Sequence, residues 1–162
     1  MDVFDEELLR FWKIANKFNL RYIMIGGVAT NLHGYQRTTE DIDVWIEDST
    51  LNRKKLRLVF KEYGWGDFKA FKNMQFIPGW IYFHLDNGIR LDIMTSVKGL
   101  EHQDFEYYLE TASIATIYQT DVPFLHINHL IDSKEAAKRP KDKIDLAELY
   151  KIRAIIEGNL NK

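Results

Sequence analysis

The sequence predicts an α/β chain, a mixed β-sheet with helices packed on it. Amphipathic stretches of helical period alternate with short apolar strands in the first part of the chain. A hairpin signal follows, WIYFHLD and IRLDIM on either side of Asn87-Gly88, and the chain then runs into a helical tail. With 162 residues, 46% of them hydrophobic and 28% charged, it can bury a core unaided.

The first helix is expected from Asp5 to Phe18, where Leu8, Trp12, Ala15 and Phe18 repeat at helical spacing, with Asn19 as its stop. Arg21 to Ile25 reads as a short buried strand, broken by Gly26-Gly27, and a short helix spans Val28 to Gly34. Asp41 to Glu47 alternates: Ile42, Val44 and Ile46 face one way, Asp41, Asp43, Trp45 and Glu47 the other. Thr50 to Tyr63 is a second amphipathic helix, with Asp48-Ser49-Thr50 to cap it and Gly64 to end it. Trp65 to Trp80 reads as loop plus a short strand. A two-residue turn at Asn87-Gly88 would pair Phe83 with Asp92 and His84 with Leu91, turning His84 away from Asp92. Asp104 to Glu110 is expected to be helical, Ser113–Tyr118 and Val122–His126 extended, and the rest helical with a break near Arg139-Pro140. Residues 1–125 are expected to form the α/β core and 126–162 a helical extension packed on it, one domain overall.

Composition excludes several classes. The chain has no cysteine, so disulfide scaffolds, thiolate metal sites and thiol redox chemistry are ruled out. A net charge of -2 argues against coating nucleic acid by bulk charge. No apolar run is long enough for a membrane span, and the acidic start MDVFDEELLR does not read as a signal peptide, so the expected location is the cytoplasm.

The chemistry concentrates between Gly26 and Asp92. A Gly pair between strand and helix lets backbone N–H groups approach a phosphate, although a plain tight turn uses the same residues. Asp41 and Asp43, two apart on a strand, project from one face. Like charges held so close call for solvent or a cation, and Mg²⁺ favours such oxygen ligands together with substrate phosphates. Asp92 sits inside the apolar strand RLDIM, where an unpaired acid is costly. Either Arg90 neutralises it, or the strand lies beside Asp41–Glu47 and brings a third carboxylate to a two-metal phosphoryl-transfer site. In the tail, Ile127, Leu130, Ile131, Lys134 and Ala137 share a helical face, and Asp142 and Asp145 continue the apolar face of the next helix. A buried lysine of this kind either bridges to Asp145 and fastens the helices or reaches a phosphate. Arg37 and Thr38 precede the acidic pair in a loop expected to border the same cleft, where a guanidinium can clamp phosphate. His126 and His129 have a metal-like spacing, but capping or packing explains them better.

These residues carry a resemblance. IMIGGVATNLHGYQRTTEDIDVWIE, with IRLDIM supplying a third acid, resembles the signature of the polymerase-β-like nucleotidyltransferase superfamily, nearest its small AbiEii-like group. LIDSKEAAKRPKDKIDLAEL is similar to that group's tail, a Lys, then an Arg, then Asp-x-x-Asp. The resemblance runs from about Tyr22 to Leu149. It implies transfer of a nucleoside monophosphate from an NTP such as ATP to an acceptor hydroxyl, with pyrophosphate released. Asp41, Asp43 and Asp92 would hold Mg²⁺ or Mn²⁺ and act in catalysis. Gly26, Gly27, Arg37, Thr38, Lys134, Asp142 and Asp145 would hold the nucleotide. Many relatives carry serine at the second Gly, so phosphate contact at Gly27 would be through backbone alone. The acceptor stays open among a tRNA end, a protein side chain and a small molecule. A toxin-like role with a cognate partner is one implication. The alternative is a catalytically idle module of the same fold, acting as an antitoxin or regulatory partner.

Overall fold

The computed structural model describes residues 5–72 and 80–162. Helix α1 (Glu6–Lys17) starts where the Asp5 carboxylate accepts from the Glu7 and Leu8 amides, and it ends before Asn19, whose φ of 54° halts the helix. Strand β1 (Tyr22–Ile25) is buried along its length and passes without a loop into α2 (Gly26–Leu32). The glycine pair is therefore the first turn of α2, not a linker ahead of a helix beginning at Val28. Next come β2 (Asp41–Ile46) and α3 (Thr50–Tyr63), the latter capped by the Ser49 hydroxyl and closed by Gly64 at φ 104°. Lys69–Lys72 make a 3₁₀ turn; of the loop plus short strand expected over Trp65–Trp80, residues 73–79 lie outside the described residues. The remaining elements are β3 (Trp80–His84), β4 (Arg90–Met94), α4 (Phe105–Glu110), β5 (Ser113–Ile117), β6 (Thr120–Phe124), α5 (Ile127–Ala137) and α6 (Asp142–Leu160).

The strands form one mixed sheet in the order β3-β4-β2-β1-β6-β5. Its centre fixes the site. β2 and β4 run parallel and in register, pairing Asp41 with Arg90, Asp43 with Asp92 and Trp45 with Met94. Strand alternation then sorts the side chains. Ile42, Val44, Leu91 and Ile93 are fully buried on one face, where α3 covers the sheet through Phe60, its ring 4.4 Å from that of Phe83. The other face carries the acids. At its far end Trp45 packs against Phe105 and Tyr108 at 5.3 and 5.2 Å.

The hairpin departs from the expected register by one residue. Phe83 pairs with Leu91, His84 with Arg90, and Tyr82 faces Asp92. The loop has three residues: Gly88 N–H donates to Leu85 C=O at 2.8 Å, Leu85 N–H to Ile89 C=O at 2.9 Å, and Gly88 sits at φ 85°. Asp86 belongs to the turn because it is held from outside, its carboxylate by Arg10 at 2.7 Å and its amide by the Tyr63 hydroxyl at 3.0 Å. Period-2 alternation makes the consequence large: Trp80, Tyr82 and His84 lie on the same face as Asp92, so His84 does not turn away from it.

Candidate active site

Ile25 pairs with Asp43 across β1 and β2, so the residue after Ile25 lies against the Asp43 side chain. Gly26 adopts φ 63°, and a Cβ there would stand 2.2 Å from Asp43 Oδ2. A Cβ on Gly27 would stand 2.5 Å from Thr39 Oγ1 and 3.3 Å from an Arg37 Nη. Both positions thus require glycine, the first for its backbone conformation and for the carboxylate, the second for the loop before β2. No side chain caps α2, which leaves its first turn facing the cleft. Gly26→Ala is expected to cost about 1–3 kcal/mol through left-handed strain and displacement of Asp43. Urea denaturation measures it; an unchanged midpoint would show that the contact is not tight.

A cleft of about 380 Å³ opens here, lined among others by Gly26, Gly27, Thr38, Asp41, Asp43 and Lys141. Burial first, then the charges of Asp92 and Asp41, push the Asp43 carboxyl from 3.8 up to about 6, against the pull of Arg139 and Lys141. The far wall is a charged network. Lys134, 3% exposed, donates from Nζ to Asp142 Oδ1 at 3.1 Å and to Asp145 Oδ2 at 3.0 Å. Arg37 donates from Nη2 to Asp145 at 2.8 Å, and Arg139 from Nε to Asp142 at 2.6 Å. Burial would raise the Asp142 carboxyl, but the Arg139 hydrogen bond and the Lys134 charge outweigh it and hold it below the ordinary value. The network ties the loop before β2 to α5 and α6. Asn31, 3% exposed in α2, fixes the same loop by accepting from the Arg37 amide at 3.1 Å.

Asp92 is 7% exposed and lies beside Asp43, and Arg90 donates to its Oδ1 at 2.7 Å. Asp92 thus has its own arginine, and β4 lies beside β2 in the register that puts it on the face carrying Asp41 and Asp43. Among the described residues no three His, Asp or Glu side chains are already gathered as a metal cage. The donor set nonetheless fits a divalent cation. It is all carboxylate oxygen, as Mg²⁺ prefers, and Asp43 carries a raised pKa that a cation would relieve.

All the sequence-predicted residues except Asp92 line the main cleft. Asp92 does not line it but stands in register beside Asp43, which does. Arg139, the arginine of the tail motif, and Lys141 were not assigned to the nucleotide site from the sequence; both are exposed in the cleft wall, and Arg139, like Lys134 and Arg37, is engaged with an acid. Their place in the basic run from Lys134 to Lys143 was the available signal. His126 accepts the Asn128 amide as the cap of α5, in accord with a capping role.

No protein-family model and no curated protein matches the chain. Solved structures do. The lincosamide antibiotic adenylyltransferase LnuA with lincomycin bound is similar at a TM-score of 0.63 and 15% identity, over 91% of this chain and 97% of its own. ANT(2")-Ia in complex with adenylyl-2"-tobramycin gives 0.53 at 18% identity, over 95% and 89%. An antigenic nucleotidyltransferase-like protein from Paracoccidioides brasiliensis gives 0.54 at 15% identity, over 92% and 73%. At such identities the likeness is one of fold: the chain has the nucleotidyltransferase fold, a mixed sheet flanked by helices.

Proposed function

We propose that this chain is a metal-dependent nucleotidyltransferase that moves a nucleoside monophosphate from an NTP to an acceptor hydroxyl. The observation that carries this reading is the in-register pairing of Asp43 with Asp92 on parallel strands, with Gly26 pressed against the Asp43 carboxylate. Asp41, Asp43 and Asp92 would hold Mg²⁺ or Mn²⁺, which when bound neutralises charge on the triphosphate. The α2 backbone at Gly26 and Gly27 receives phosphate oxygens, assisted by Arg139 and Lys141 from the opposite wall. Thr38 borders that path. Lys134 and Arg37 act mainly through Asp142 and Asp145, holding the wall that carries these cations. The acceptor oxygen bonds to the α-phosphorus, the bond from that phosphorus to the bridging oxygen breaks, and pyrophosphate departs. Asp92 takes the acceptor proton.

A toxin-like role with a cognate partner rests on the sequence resemblance alone, and the neighbours in complex with lincomycin and adenylyl-tobramycin make a small-molecule acceptor an equal arm of the test. One observation favours a second reading. The Arg90–Asp92 pair already neutralises the third acid, as an idle binding module would require. Labelled NTP with Mg²⁺ and candidate acceptors, compared between wild type and Asp92→Ala, separates the two. Transfer by wild type only is expected. Mg²⁺ with NTP at a hundred times Kd should also stabilise the fold by about 2.7 kcal/mol. Stabilisation without transfer would establish the idle module, and neither would refute both.

A further inference from the structure

The hairpin register leaves an aromatic row that the chemistry above does not use. Trp80, Tyr82 and His84 follow one another at two-residue steps along β3, the edge strand, on the face that carries Asp92. Successive ring centroids are 5.6 and 5.9 Å apart, with the ring planes turned by 41° and 87°, so each ring presents its own face. Tyr82 is 50% exposed and stands directly across from Asp92. The Arg90 guanidinium lies 4.3 Å from the Tyr82 ring centroid and 5.0 Å from that of Trp80, so a flat cation joins the row. A tyrosine half in water on a sheet face, with its ring backed by arginine, gains little for the fold. It offers a surface for another flat ring.

The row continues toward the site. Met94, the cross-strand partner of Trp80, borders a second cleft of about 180 Å³ that also touches Asp43, Ser96, Lys98 and Arg139. Aromatic rings, a guanidinium plane and nearby lysine and arginine are the combination that holds single-stranded RNA: splayed bases stack on the rings, and the cations meet the phosphates. A lone sugar ring needs one aromatic face. Three rings turned at different angles, with an arginine, offer separate faces to successive splayed bases.

Resting on the transferase reading, we propose that Trp80, Tyr82 and His84 form the acceptor platform and that the acceptor is a single-stranded RNA end, its bases stacked along β3 and its terminal ribose hydroxyl delivered to Asp92. Arg90 takes two parts. It backs the stack, and it holds the Asp92 carboxylate in place until the acceptor arrives.

The test titrates a dye-labelled short single-stranded oligoribonucleotide into the full chain, reading anisotropy for wild type, Tyr82→Ala and Tyr82→Phe. Tyr82→Phe should bind as wild type, and Tyr82→Ala about tenfold more weakly or worse. The melting shift caused by Mg²⁺ with ATP should be equal in all three, which shows that the fold and the nucleotide cleft are intact. Equal binding by Tyr82→Ala, equal affinity for a duplex of the same sequence, or transfer to a small glycoside with no RNA binding would overturn the platform while leaving the transferase reading in place. Tyr82-dependent RNA binding without nucleotide transfer supports the platform and counts against the transferase.

Discussion

Asp43→Asn is expected to abolish nucleotide transfer and, in the same protein, to raise the melting temperature. The two effects have one origin. Asp43 faces Asp92 across β2 and β4 and leaves no room for a Cβ at Gly26, the place where the proposed transferase reading puts the cation and the triphosphate. Losing its charge should lower the transfer rate by about 10³-fold or more, as when other preorganised electrostatic groups are removed. Without ligands the same charge is a burden. Burial and the neighbouring acids raise its pKa from 3.8 to about 6, so the folded chain keeps a proton that the unfolded chain has already released. The folded state binds more protons across that interval, and stability must fall as pH rises through it. Asp43 remains partly open to the cleft, so the cost of ionising it near neutral pH is about 1–3 kcal/mol. Asparagine removes the cost and flattens the pH profile between about 4 and 6. Thermal melts at a series of pH values, with and without Mg²⁺, measure both parts. A variant that melts lower than wild type at pH 7, or that still transfers nucleotide at the wild-type rate, would remove Asp43 from the centre of the site.

The parts legible in the sequence were those governed by local physics. The D-x-D alternation of β2, the cap at Ser49 and the stop at Gly64, and the lysine within the apolar stripe of α5 are each set by neighbours a few residues away, and the structure shows them in those places. The hairpin register was not legible. Asn87-Gly88 carries the usual signal for a two-residue turn, but Arg10 and Tyr63 recruit Asp86 into the loop from distant parts of the chain. That tertiary choice moved three aromatic residues to the carboxylate face. The burden carried by Arg139 and Lys141 was hidden for a related reason. A basic run reads as a solvated face until folding shows Lys134, Arg37 and Arg139 engaged with Asp142 and Asp145, and Arg139 and Lys141 lining the cleft.

Lys134→Met should be the most destabilising single change in the wall of the cleft. Lys134 is 3% exposed and serves Asp142 and Asp145 together, both 1% exposed. Methionine keeps most of the aliphatic stem, so the loss is nearly all charge and hydrogen bonding. Breaking a buried pair from one side costs about 3–5 kcal/mol, because the partner is left charged in a poor medium. Arg37 and Arg139 still reach one acid each, which places the expectation at the lower end of that range, about 3 kcal/mol. The pH dependence carries a sign of its own. Asp142 is held below its ordinary pKa, so it contributes stability above the unfolded value and loses it as pH falls through the folded one. Without Lys134 the folded pKa rises toward the unfolded one, the contribution shrinks, and acid unfolding sets in at higher pH. Asp145→Asn added to Lys134→Met should recover part of the loss, since it removes one of the stranded charges. Urea denaturation of the two single variants and the double variant reads this coupling directly. If Lys134→Met instead unfolds like wild type and shows only a raised KM for NTP, the ammonium belongs to the triphosphate, and the wall is held together by its arginines.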